Sequence, residues 1–171
     1  LQVTKLEAGA MGLDKQPVDV TRQAQRTAEE LRPRAKEKRI DLQVQGQRCP
    51  IRAMADEGGV QIVLQNLISN AIRYTEEGGD VQVRTFQNDD TVVLEVEDTG
   101  IGMEPDVVAQ LFEPFRQESE GLGREYEGSG VGLAVTQKAV AEMGGSIEVE
   151  TEKGIGSCFT VQLPSAEEAL S

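Results

Sequence analysis

The chain has 171 residues, enough for one globular domain with a short appendage. A formal net charge of −13 and only 4% aromatic residues exclude a basic nucleic-acid footprint and a base-stacking platform. With no histidine, no CxxC spacing between Cys49 and Cys158, no apolar run of the roughly 18 residues a membrane span needs and no secretory pattern, the expectation is a cytoplasmic protein with two reduced thiols and no transition-metal site. A small anionic ligand stays open, because backbone amides, a helix N-terminus, a divalent ion and an arginine or two suffice to hold one.

Residues 1–12 (LQVTKLEAGAMG) read as the tail of a helix, with Gly9 and Gly12 as stop signals; a helix uncapped at its first residue points to a segment cut from something longer. PVDV (17–20) is extended, and Thr21 is a candidate cap for a helix over 21–38 in which Pro33 predicts a kink or an early break. IDLQVQ (40–45) alternates as a strand does, with Ile40, Leu42 and Val44 on one face. Over 56–74, Val60, Val63, Leu64, Leu67, Ile68, Ala71 and Ile72 recur at helical spacing and form one broad buried stripe. VQVRTFQ (81–87) and TVVLEVED (91–98) form a hairpin around Asn88, Asp89 and Asp90, and Asp98 shares the core-side parity of Val92, Leu94 and Val96. The stretch 100–130 has no periodicity and is too long for a mere connector, so it is a functional-loop candidate. A helix over 131–143, stopped by Gly144 and Gly145, precedes the strands SIEVETE (146–152) and SCFTVQLP (157–164). Helices alternating with strands that come in hairpins predict an α/β sandwich, a mixed sheet covered by helices on one face.

Three segments carry chemistry. In LQNLISNAIRYT (64–75), Asn66, Asn70 and Arg73 fall on one line beside the apolar stripe; this is either a solvated polar face or a ligand-facing edge, where an amide oxygen can coordinate Mg²⁺ without adding charge. DTGIGM (98–103) places an acid at a strand end before two glycines. It reads either as a plain Asp-Thr-Gly turn or as a carboxylate aimed at an amine, with Gly100 and Gly102 allowing backbone and ligand to approach closely. GREYEGSGVGLAV (123–135) is either a flexible connector or a phosphate cradle, in which Gly128, Gly130 and Gly132 expose N–H groups at a helix start within reach of Arg124. It is not a Walker loop, because no GK[ST] follows.

In this order, these segments resemble the catalytic domain of histidine kinases, a family within an ATPase superfamily that includes gyrase and a class of heat-shock chaperones. NLISNAIRYT resembles the N box, DTGIGM the first glycine box, LFEPFRQ (111–117) the F box and EGSGVGLAV the second glycine box. The resemblance implies a Bergerat-type two-layer sandwich with a mostly antiparallel sheet, and it implies ATP and Mg²⁺ as ligands. It divides the chain into residues 1–12, the tail of a dimerisation and phosphoacceptor helix, and 13–171, the catalytic domain with an ATP lid over 103–127. Asn70 resembles the Mg²⁺-binding asparagine, with Asn66 one turn earlier; Arg73 stands where the family often has lysine, and Tyr74 lines the nucleotide. Asp98 resembles the residue that reads the adenine amino group. Gly100, Ile101 and Gly102 of one box, and Gly128, Ser129, Gly130, Val131, Gly132 and Leu133 of the other, border the nucleotide. Phe112 and Phe115 anchor the lid, Glu127 replaces a frequent glycine, and Ser157 is a better adenine-side candidate than Thr160.

The resemblance leaves two function classes. In one, the domain presents the ATP γ-phosphate to a histidine on its own dimerisation and phosphoacceptor domain, in cis or in trans, with Asn70, Arg73 and Arg124 as catalytic residues. A response regulator then acts downstream, the fragment is monomeric, and the full-length protein is a homodimer that is membrane-anchored or not. In the other, the chain is a gyrase-like or chaperone-like conformational ATPase. Those ATPases carry a glutamate four residues before the Mg²⁺ asparagine to activate water, and this chain has Asn66 there. An amide is no general base, which favours the kinase.

Overall fold

The computed structural model describes residues 14–46, 51–102 and 127–166, with the backbone alone for 127–132. The elements in chain order are β1 (Gln16–Asp19), α1 (Val20–Glu37), β2 (Asp41–Gly46), β3 (Arg52–Ala55), α2 (Glu57–Tyr74), β4 (Asp80–Asn88), β5 (Thr91–Asp98), α3 (Glu127–Glu142), β6 (Ser146–Glu152) and β7 (Gly156–Pro164). Five strands form one sheet in the order β2-β4-β5-β7-β6, parallel between β2 and β4 and antiparallel elsewhere. β1 and β3 make a separate antiparallel ribbon. This is the mixed α/β sandwich expected from the alternation of elements, and its sheet is mostly antiparallel as the family resemblance implies.

Period-two alternation sorts each strand into a core face and an open face. On the core face the register stacks Thr85, Leu94, Val161 and Ile147 in one row across four strands, and Val44, Val83, Val96, Phe159 and Val149 in the next row across five. α2 lies over this face, against β4 and β5, between α1 and α3. Its stripe Val60, Val63, Leu64, Leu67, Ile68, Ala71 and Ile72 is buried as the spacing predicts. Each fully buried aliphatic side chain contributes about 1.5–3 kcal/mol. On the open face Arg84 bridges Glu95 and Glu97 at 3.0 and 2.6 Å, and Glu148, Glu150 and Glu152 of β6 point away from the core. Cys158 is a free, half-buried thiol on the same face, and burial, with Glu95 beside it, pushes its pKa up.

Four local readings need correction. Asp19, not Thr21, caps α1: its carboxylate accepts from the Arg22 N–H at 3.0 Å, while the Thr21 hydroxyl meets that of Thr85 at 2.6 Å. Pro33 does not end α1, which continues to Glu37; the ring is exposed, and the buried Ala24, Ala28, Leu31 and Ala35 outweigh the lost backbone bond. β3 has no counterpart in the sequence reading. α3 starts at Glu127 and takes Gly128 and Gly130 into its first turn, earlier than the reading of 131–143.

A Leu94→Ala variant should lose about 2–5 kcal/mol of stability, because the side chain is 1% exposed at the sheet centre. Arg84→Ala should lose about 1 kcal/mol or less. Urea unfolding monitored by circular dichroism checks both; comparable losses would show that the core face is not the main source of stability.

Candidate functional site

At one end of the core face the apolar rows give way to a polar one. The register there runs Leu42, Val81, Asp98, Ser157, Thr151 across the five strands. Asp98 is 7% exposed, and burying an ionised carboxylate is costly unless donors surround it. Two backbone N–H groups do so: that of Gly100 donates to Oδ1 at 2.8 Å, and that of Ser157 donates from β7. Burial nevertheless dominates and pushes the Asp98 pKa above the usual aspartate range; the two N–H groups pull it down by less, and Glu97 adds to the rise. The native state therefore holds this proton more tightly than the unfolded chain. Its contribution to stability is largest below the ordinary aspartate value and falls as pH rises through the raised one.

The turn after Asp98 is stitched on both sides. The Thr99 N–H donates to the Asp80 carbonyl at 3.1 Å, and the Ile101 N–H donates to the Tyr74 carbonyl at 3.1 Å. The Gly154 N–H donates to the Ile101 carbonyl at 2.6 Å. A Cβ at Gly100 would run into the Tyr74 carbonyl, and one at Gly102, where φ is +71°, into the Glu152 carbonyl. The close approach seen at these glycines is thus between segments of this chain, and Gly102 also lines the cavity described next.

These restraints place the Asp98 end of β5 under the last turns of α2. Asn70, Ala71 and Tyr74 of α2, Asp98, Gly102, Leu133 of α3, and Ser157 and Phe159 of β7 line one narrow cavity of about 10 Å³, room for a single water. Asn70 is 9% exposed, and its amide takes no partner among the described residues. The Ser157 hydroxyl is tied to that of Thr151 at 2.8 Å. A wider groove of about 840 Å³ shares Asp98 and Ser157 with this cavity and opens along β6 and β7. Glu97, Glu150 and Glu152 line it and repel phosphate, so the narrow cavity is the better anchor for an anionic ligand.

Of the candidates read from the sequence, Asn70, Tyr74, Asp98, Gly102, Leu133 and Ser157 meet in this cavity. Asn66 does not: its amide nitrogen donates to the Thr136 hydroxyl of α3 at 3.1 Å. Arg73 is exposed at the end of α2, away from the cavity lining, and Ile101 is 45% exposed and engaged through its backbone. Gly128, Ser129, Gly130, Val131 and Gly132 lie in the opening turns of α3, where only the backbone is described. Arg124, Phe112, Phe115, the lid up to residue 126 and residues 1–12 lie outside the described residues. Ala71 and Phe159 were counted only as core, although Phe159 shares the face of Ser157 two residues away.

The profile of the histidine kinase-, DNA gyrase B-, and HSP90-like ATPase family matches residues 55–167. The circadian input-output histidine kinase CikA of Synechococcus elongatus is 36% identical over 96% of this chain, which spans 22% of CikA's length. Full-length ShkA, solved in complex with AMPPNP, superposes with a TM-score of 0.76 at 34% identity, covering 90% of this chain and 31% of that one. The catalytic domain of histidine kinase ThkA, in a nucleotide-free form, shares the fold with a TM-score of 0.77 at 22% identity, covering 89% of this chain and 96% of that one. The chain belongs to the histidine kinase-, DNA gyrase B-, and HSP90-like ATPase family, as an ATP-binding domain of the kind that sensor histidine kinases carry.

Proposed function

We propose that this domain binds Mg²⁺·ATP between α2, the end of β5 and α3, and presents the γ-phosphate to a histidine on a separate dimerisation and phosphoacceptor domain, in cis or in trans. The convergence of Asn70, Tyr74, Asp98, Gly102, Leu133 and Ser157 from distant parts of the chain into one cavity carries this reading. The ATP analogue bound by ShkA is in keeping with it. In the proposed parent, a cytoplasmic or membrane-anchored homodimer, a response regulator takes the phosphoryl group onward.

The residues fit these ligands. Asp98 has acceptor capacity left after its two backbone donors, enough for the exocyclic amine of adenine, and Ala71, Leu133 and Phe159 supply apolar walls. An adenine ring is far larger than the cavity, so admitting it requires those walls to part. Among the described residues no cluster of three Asp, Glu, His or Cys side chains can hold a metal. Mg²⁺ would rest on phosphate oxygens, water and the Asn70 amide, as a small hard cation does, and would neutralise phosphate charge. The first N–H groups of α3 lack partners within the helix and suit phosphate oxygens, while Arg73 and Arg124 add positive charge. No residue is assigned as a base toward water: Asn66 cannot take a proton and is tied to Thr136.

Asn70→Ala should weaken ATP binding roughly ten- to a hundredfold in Mg²⁺ and change it little in excess chelator; calorimetric titration under both conditions checks this, and equal affinities with Mg²⁺ would remove Asn70 from the metal site. ATP affinity of the wild type should fall as pH drops through the raised Asp98 midpoint, because protonation removes acceptor capacity. Asp98→Asn should bind roughly tenfold or more weakly at neutral pH and lose that pH dependence. A carbon-13 carboxyl titration locates the midpoint, and a pH profile unchanged in the variant would contradict the adenine role.

A further inference from the structure

We infer that the Asn66–Thr136 hydrogen bond is a clamp that sets the phosphate-facing start of α3 against α2, which makes both residues positioning residues and neither a nucleotide contact. This rests on the nucleotide reading above and assigns Asn66 a different task from the one its place in the N box implies.

Three residue pairs mark how the two helices run against each other. Gly59 near the start of α2 sits against Met143 just after α3, where a Cβ would lie 3.0 Å from the thioether sulfur. Asn66 and Thr136 form the middle pair at 3.1 Å. Asn70 and Leu133 mark the third level, where they line the same cavity from the two helices. Residue numbers rise along α2 as they fall along α3, so the helices run antiparallel. Among the described residues the two flanking pairs offer no directed bond between the helices, since a glycine on a thioether and a leucine side chain resist sliding only weakly. Among the described residues of these three pairs, the middle one alone is directional, and the Thr136 hydroxyl that completes it is fully buried. It lies one turn from Asn70 on α2 and one turn from Leu133 on α3, so it holds Asn70 and the α3 opening turns in one register. The adenosine end of the cavity depends less on α3, which gives it Leu133 alone among the described lining residues.

The test compares ATP with adenosine, by calorimetry and by NMR shift titration, for the wild type, Asn66→Ala, Thr136→Val, Thr136→Ser and the Asn66→Ala/Thr136→Val double variant. The two single disruptions should each weaken Mg²⁺·ATP roughly fivefold and adenosine by less than about twofold. Thr136→Ser should restore ATP affinity, and the double variant should be no weaker than either single one, as expected for one shared interaction. Equal losses for ATP and adenosine, an additive double variant, no loss in Thr136→Val, or a much larger loss in Asn66→Ala than in Thr136→Val would each overturn the clamp. Hydrogen exchange of the α3 amides without nucleotide gives a second readout: Thr136→Val should speed exchange in the opening turns, and unchanged exchange counts against the clamp. A wild type that binds neither ligand would instead overturn the proposed function, and the exchange result would still decide on the clamp.

Discussion

A buried carboxylate is the constraint around which this end of the molecule is arranged. Asp98 ends a strand whose alternating residues form the core, so parity alone drives a charge to the inside. Among the described residues the fold answers with backbone donors, not a counter-ion, and those donors require the tight turn over 98–102 and the antiparallel pairing with β7. The turn in turn requires glycine where it presses on Tyr74 and Glu152. Burial still outweighs the two donors and keeps the Asp98 pKa raised. Such a group is expensive to keep for structure alone, and its remaining acceptor capacity is what a ligand amine can use.

The opposite wall is built by different physics. α2 is buried along one stripe by the hydrophobic effect, and the edge of that stripe carries two asparagines a turn apart. The amide of Asn66 donates to Thr136 of α3, and Asn70 lines the cavity. Position on the same helix edge therefore does not give the same surroundings. Helix α3 brings Leu133 to the cavity and opens with a glycine-rich first turn, so in the proposed nucleotide site anything that fixes α3 on α2 would also fix the distance between the two ends of the nucleotide.

Much of this was legible because parity and helical period are local properties. The burial of Asp98 and Ser157 follows from counting by twos along β5 and β7, and the α2 stripe from counting by threes and fours. What failed needed information from outside the segment. Spacing shows that Asn66 and Asn70 share an edge but not that a threonine 70 positions away in sequence meets the first of them. β3 is four residues of Arg, Ala, Met and Ala, with no β-branched residue to mark it, and it pairs with a strand more than thirty positions earlier. Asp19 and Thr21 are both good cap residues, and only the helix start shows which one is used. Pro33 is tolerated because its ring faces solvent, which the residue type does not reveal. Residue type marks Gly100 and Gly102 as places of close approach, but not that this chain's own backbone at Tyr74 and Glu152 is what presses on them.

The kinase reading turns on where the γ-phosphate goes. γ-Labelled ATP incubated with this domain and a separately supplied helical domain carrying the acceptor histidine measures that directly. The expected result is acid-labile label on the histidine domain, little free phosphate from the catalytic domain alone, and loss of labelling with Asn70→Ala. Brisk, Mg²⁺-dependent phosphate release by the catalytic domain alone, with no label on the histidine, would contradict it and point to a conformational ATPase.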